Sequence, residues 1–220
     1  MLAMEFVKPL IRRRFRFPLR RACLLLLSLA AGAAGAADQS SSFPAFREGG
    51  GSRGVNCPGR RVAHLVPENG RFEPGSQRLI AVLEGDTPQP RPLGVRIAAL
   101  GDWSLEPEAA GLRLISIPAI DRSMLWESFP RCGAESEGAE APPARTWLET
   151  TATRERPSGR AADQSVRLQL QRLSRACGTT VTTAPLLQAF GLDHLAAELP
   201  AELPVRCRTL APSLAHRGAP

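Results

Sequence analysis

The chain has 220 residues, 28 basic side chains against 21 acidic, a net charge of +7 and a pI near 10.3. The charge is unevenly placed: residues 1–36 hold seven basic groups and one acid, Glu5, while the remaining 184 residues carry 21 Arg against 20 Asp plus Glu. That near-neutral body offers no electrostatic footprint for a polyphosphate backbone, which argues against nucleic acid as a partner.

Lys8, Arg12, Arg13, Arg14, Arg16, Arg20 and Arg21 precede the apolar run Ala22–Ala31, and small residues follow through Ala37. Basic region, short apolar region and small-residue site, in that order, predict a secretory signal peptide over 1–36. The run is too short for a spanning helix, which needs about twenty apolar residues. Ala34-Gly35-Ala36 supplies an A-x-A site. The expected product is a periplasmic or secreted protein after cleavage near Ala36, touching membrane only through this segment if it stays uncleaved.

Residues 37–54 read as a flexible tether, with Gln39-Ser40-Ser41-Ser42 and then Gly49-Gly50-Gly51-Ser52-Arg53-Gly54. Arg53 is the candidate anion contact in this glycine run. A phosphate loop, however, needs a strand before it, a helix after it and a Gly-Lys-Ser/Thr ending, and none is present.

Strand signals then follow one another with short turns: Arg61–Val66, Arg78–Glu84, Leu93–Ala98 and Gly111–Ile117. Leu125–Phe129 reads as a further edge strand. Together they predict an antiparallel β-sandwich over 55–132, immunoglobulin-like in style. Residues 133–163 are acidic, small and proline-bearing, and read as a low-complexity linker or insertion, with Trp147 expected to dock back onto a core.

Val166–Leu173 is ambiguous. Val166, Leu168 and Leu170 alternate as in a strand, whereas Val166, Leu170, Leu173 and Cys177 form a helical stripe. Further on, Thr183 is expected to cap a helix bearing Leu186, Leu187 and Phe190, with Gly191 as its stop. Leu192–Leu199 predicts a second short helix ended by Pro200. Ala197-Glu198-Leu199-Pro200 repeats at once as Ala201-Glu202-Leu203-Pro204. Residues 208–220 are expected to form a frayed tail.

Cys57, Cys132, Cys177 and Cys207 remain beyond the signal segment, an even number in an oxidising compartment, which favours disulfides. Four cysteines allow three pairings, and spacing alone does not choose among them. No C-x2-C knuckle is present, and His64, His194 and His216 are scattered, so no metal site is assigned. His64, inside an apolar strand, reads as a half-buried structural histidine, and His194 as part of a solvated face. Glu106 with Glu108, and Glu135 with Glu137, read as surface charge rather than acid/base pairs. Trp103 is a candidate for stacking on a sugar or peptide, with core packing the commoner role.

The glycine run Gly49–Gly54, Cys57 and Leu65-Val66-Pro67-Glu68 resemble the start of a family of uncharacterised exported proteins of photosynthetic bacteria, whose domain has no assigned function. Gly111–Pro118, Trp126–Cys132 and Leu186-Leu187-Gln188-Ala189-Phe190-Gly191-Leu192 are similar to its later elements. The resemblance implies export and a sheet-based fold, and it makes Val166–Arg172 a strand. It implies no activity.

The expected architecture is α+β: a sandwich over 55–132, a linker, then strand or helix and short C-terminal helices over 164–207. Pairing within each sequence-local unit joins Cys57 to Cys132 and Cys177 to Cys207. No catalytic or cofactor-binding residue is assigned. The expected function is a non-enzymatic module that binds an envelope protein or ligand. The alternatives are a hydrolase acting on envelope polymers and a structural envelope component.

Overall fold

The computed structural model describes residues 46–50, 60–131, 142–150 and 157–211. They form a mixed α+β fold with two sheets of mostly antiparallel strands. The first has six strands in the order β1 (Glu48–Gly49), β2 (Val62–His64), β4 (Leu79–Glu84), β7 (Gly111–Ser116), β11 (Glu202–Thr209) and β10 (Thr180–Thr182). The second has five, in the order β3 (Arg71–Phe72), β9 (Ala144–Leu148), β8 (Met124–Pro130), β5 (Leu93–Ile97) and β6 (Gly101–Leu105). Two neighbouring pairs, β7–β11 and β3–β9, run parallel.

Strand alternation decides what each face meets. In β4, Ile80, Val82 and Glu84 share one face and Ala81 and Leu83 the other, yet all five are buried. His64 sits opposite Val82 and its ring stacks on Trp126 of β8, so that face meets the second sheet. Helix α1 (Pro157–Arg175) packs against β4 and β7. A strand covered on both sides needs a near-continuous apolar run, and β4, with five apolar residues in six, supplies it.

Helix α1 resolves the ambiguous stretch and corrects the strand that the family resemblance implied for Val166–Arg172. Val166, Leu170 and Leu173 are buried, while Leu168 is 50% exposed. A strand would have buried Leu168 with its neighbours; the helical stripe leaves it outside. After α2 (Thr183–Ala189) the chain enters a 3-10 helix, Asp193–Glu198. Thr182, not Thr183, occupies the cap position of α2, and the Thr183 hydroxyl donates to the Pro200 carbonyl. Gly191 ends this helical turn with φ +61°.

Several segments differ from expectation. Leu125–Phe129 lies inside β8, which is not an edge strand but sits between β9 and β5. The expected linker contributes β9, with Ala144, Thr146 and Leu148 buried, and the first turns of α1. Residues expected as helix and tail form β11, whose Leu203 and Val205 are buried beside β7.

The expected tether contributes β1. It pairs with β2, and the Arg145 and Gly50 amides bond to Phe46 O and Pro142 O, at 2.6 and 2.8 Å. The segment therefore joins both sheets. Gly49 lies so close to the backbone of Pro142–Ala144 that a side chain there would collide with it.

A disulfide joins Cys177, just past α1, to Cys207 of β11, with Cα atoms 5.6 Å apart. It spans 30 residues of sequence, a loop for which chain-entropy arguments give about 3–4 kcal/mol of stabilisation. Cys57 and Cys132 lie outside the described residues.

Candidate functional site

Two polar centres are buried between the sheets. In the first, His64 Nδ1 lies 2.8 Å from Thr146 Oγ1, and the imidazole stacks on Trp126 with centroids 3.4 Å apart and planes within 9°. Trp126 Nε1 donates to Ser128 Oγ at 2.9 Å. His64 Nε2 is buried without a hydrogen-bond partner. Burial holds the His64 pKa well below its ordinary value of 6.5, because charging the ring would leave a cation out of water with nothing to pair it. His64 is therefore more deeply buried than its strand position suggested, and neutral.

The second centre is ionic. Glu84 accepts from Arg60 Nη1 at 2.7 Å and from Arg113 Nε. Arg60 is 2% exposed, and Glu84 and Arg113 are fully buried. Arg113 reaches on to Glu108 at 2.9 Å and to the Glu106 carbonyl at 2.7 Å, and Glu108 also pairs with Arg206. Glu108 thus anchors arginines through its carboxylate, whereas Glu106 is exposed and contributes only its main-chain carbonyl. Burial raises the Glu84 pKa, against the pull of Arg60 and Arg113. Burial also lowers the Arg60 pKa, against the pull of Glu84. The His64–Thr146 pair sets a base beside a hydroxyl, but both residues are fully buried, out of reach of a substrate.

The accessible concavity lies elsewhere. A cleft of about 260 Å³ is lined by Arg61, Ala63, Leu83, Gly85, Asp86, Leu195, Glu198 and Leu199. It sits between the paired strands β2 and β4 and the 3-10 helix, with Arg61 and Glu198 paired at 2.9 Å. A neighbouring hollow of about 540 Å³ shares Arg61, Ala63 and Leu195 and extends to Phe46, Glu48, Pro142, Pro143 and Arg145. Phe46 is 57% exposed at its rim. The described lining of both contains no Ser, Cys or His.

The other sequence candidates are dispersed. His194 is exposed, with Nε2 2.9 Å from Glu48 Oε2. Trp103 donates its indole N–H to the Ala211 carbonyl at 3.0 Å and lines neither hollow. Trp147 is a half-buried residue of β9 itself, with its indole N–H buried without a hydrogen-bond partner. Arg53, His216, Glu135, Glu137 and the signal segment lie outside the described residues. Among the described residues, no cluster of His, Cys, Asp or Glu has the arrangement of a metal site, and no helix is long and apolar enough to cross a membrane.

Sequence reasoning did not find Arg60, Glu84 and Arg113. The signal was present in β7: Leu112, Leu114 and Ile115 cannot all share a face, so both faces are buried and Arg113 must be buried with them. Comparison with family models, with curated proteins and with solved structures finds no match.

Proposed function

We propose that the protein is an exported, non-enzymatic binding module of the cell envelope, and that the paired hollows beside β1 and β2 are its ligand site. The carrying observation is the groove itself: apolar walls from Phe46, Leu83, Leu195, Leu199 and the two prolines, with Arg61, Asp86 and Glu198 among them. A mostly apolar concavity with a few polar groups is the usual form of a binding site, and the wider of the two hollows has that character. Export, cleavage near Ala36 and the distant resemblance to exported proteins of photosynthetic bacteria belong to this reading, as does a sandwich in the immunoglobulin style. The Cys177–Cys207 disulfide is compatible with an extracytoplasmic location.

The test is saturable binding of a component from envelope extract by the purified protein, compared with Phe46→Asp and Leu199→Asp. Reproducible capture that both variants lose supports the reading. No capture, or capture indifferent to both variants, removes it.

A hydrolase is the second reading, favoured by one observation: Asp86 and Glu198 line the same cleft. Glu198 is already held by Arg61, and Trp103 is not there. Turnover of an envelope polymer that Asp86→Asn abolishes would replace the binding proposal with this one.

A further inference from the structure

Four strands of the five-stranded sheet carry one row of charge on the face turned away from the other sheet. The strand registers set Arg145 of β9 beside Glu127 of β8, Glu127 beside Arg96 of β5, and Arg96 beside Asp102 of β6. Successive members pair: Arg145–Glu127 at 2.8 Å, Arg96–Glu127 at 3.5 Å and Arg96–Asp102 at 3.0 Å. The Phe129 ring lies 5.2 Å from the Arg96 guanidinium and 5.6 Å from that of Arg131, which also pairs with Asp102 from the end of β8. The arginines stay open to water, with Arg96 52% and Arg145 41% exposed. The two α-helices pack on the six-stranded sheet instead.

Read across the sheet, the four register-aligned residues run plus, minus, plus, minus, antisymmetric end to end, with Arg131 an added positive charge at the Asp102 end. A two-fold axis parallel to the strands, lying between two such faces, reverses the row. Asp102 then faces Arg145 of the second copy and Arg96 faces its Glu127, and each contact occurs twice. An axis along the row would set like charges together and is disfavoured. Aligned packing of this kind suits two sheets of the same twist. We propose that this face is the interface of a homodimer, with a second copy of the chain as its occupant.

Sedimentation velocity of the purified protein tests it. A dimer is expected at low salt that dissociates as salt rises, because exposed charges are screened. Arg145→Glu and Asp102→Arg each reverse two of the four contacts, and each is expected to weaken the dimer about tenfold or more. The double variant restores every contact between copies while placing like charges beside each other within the chain. Recovery of the dimer in that variant cannot come from the intrachain ladder. Should it not fold by circular dichroism, Arg145→Gln and Asp102→Asn carry the test, each expected to weaken the dimer several-fold. A wild-type protein that stays monomeric at about 100 μM in low salt overturns the proposal. So does a dimer indifferent to the single variants, or a folded double variant that stays monomeric.

Discussion

The two polar centres between the sheets solve the same problem in opposite ways. His64 and Glu84 occupy successive inward levels of the six-stranded sheet: His64 lies opposite Val82 on β4, and Glu84 is the next inward position. The His64 centre is closed. It stays neutral, stacks on Trp126 and leaves Nε2 unpaired. The Glu84 centre is ionic and opens outward through Arg113 to Glu108, at 19% exposure, Arg206 at 26% and Arg208 at 55%. Charge is kept where a line of ion pairs leads to water, and excluded one level deeper where no such line exists. The cost of desolvating an ion makes that division physical.

The most severe way to break the contrast is Glu84→Gln. It leaves Arg60 and Arg113 without their shared carboxylate, and removing one partner of a buried pair costs about 3–5 kcal/mol. Urea unfolding is expected to show that loss in midpoint with little change in slope.

Acid addresses the closed centre instead. The folded His64 pKa lies well below 6.5, so near and below pH 6.5 the unfolded chain binds the proton that the folded chain refuses. Its contribution is intact above about pH 6.5 and is lost as pH falls below that value. The loss grows as pH falls, by at most about 1.4 kcal/mol per pH unit, until the folded ring itself takes up the proton. His64→Gln should flatten this slope in the same unfolding experiment. A slope unchanged by that substitution would assign the acid sensitivity elsewhere.

The smallest effect belongs to the outermost member of the ionic line. Arg208 is 55% exposed and 3.7 Å from Glu108, so Arg208→Gln should change stability by less than about 0.5 kcal/mol. A loss as large as that of Glu84→Gln would mean that the line acts as one unit and that the contrast with the closed centre is drawn in the wrong place.

The legible parts of the fold were those with one period and clear punctuation. The strands over 62–64, 79–84, 93–97 and 111–116 and the Gly191 stop stood in the sequence, and Cys177–Cys207 followed from pairing cysteines within one sequence-local unit. What escaped was set by context. Ala-Glu-Leu-Pro occurs twice in succession: the first copy ends the 3-10 helix and the second enters β11, where Leu203 is fully buried. Identical local sequence cannot tell these apart. The waiting edge of β7 does, since a strand that pairs there satisfies its backbone and buries Leu203 and Val205 together. The ambiguity at 166–173 similarly ended on one residue, Leu168, whose exposure follows only once α1 has a sheet to lie on. The groove was the least legible feature, because Phe46, Ala63, Pro142 and Leu195 are far apart in sequence and carry no motif.

The short strand β1 also has a mechanical meaning. It bonds to β2 on one side, and on the other the Phe46–Gly50 segment meets the Pro142–Arg145 stretch leading into β9. A pull on the chain before Phe46 is thus shared by both sheets from the first bond, like load across a lap joint. Neither sheet can be peeled from that end alone. The hydrogen bonds of these five residues, with Gly49 fitted too closely to tolerate a side chain, are the first contacts on that path to carry such a load.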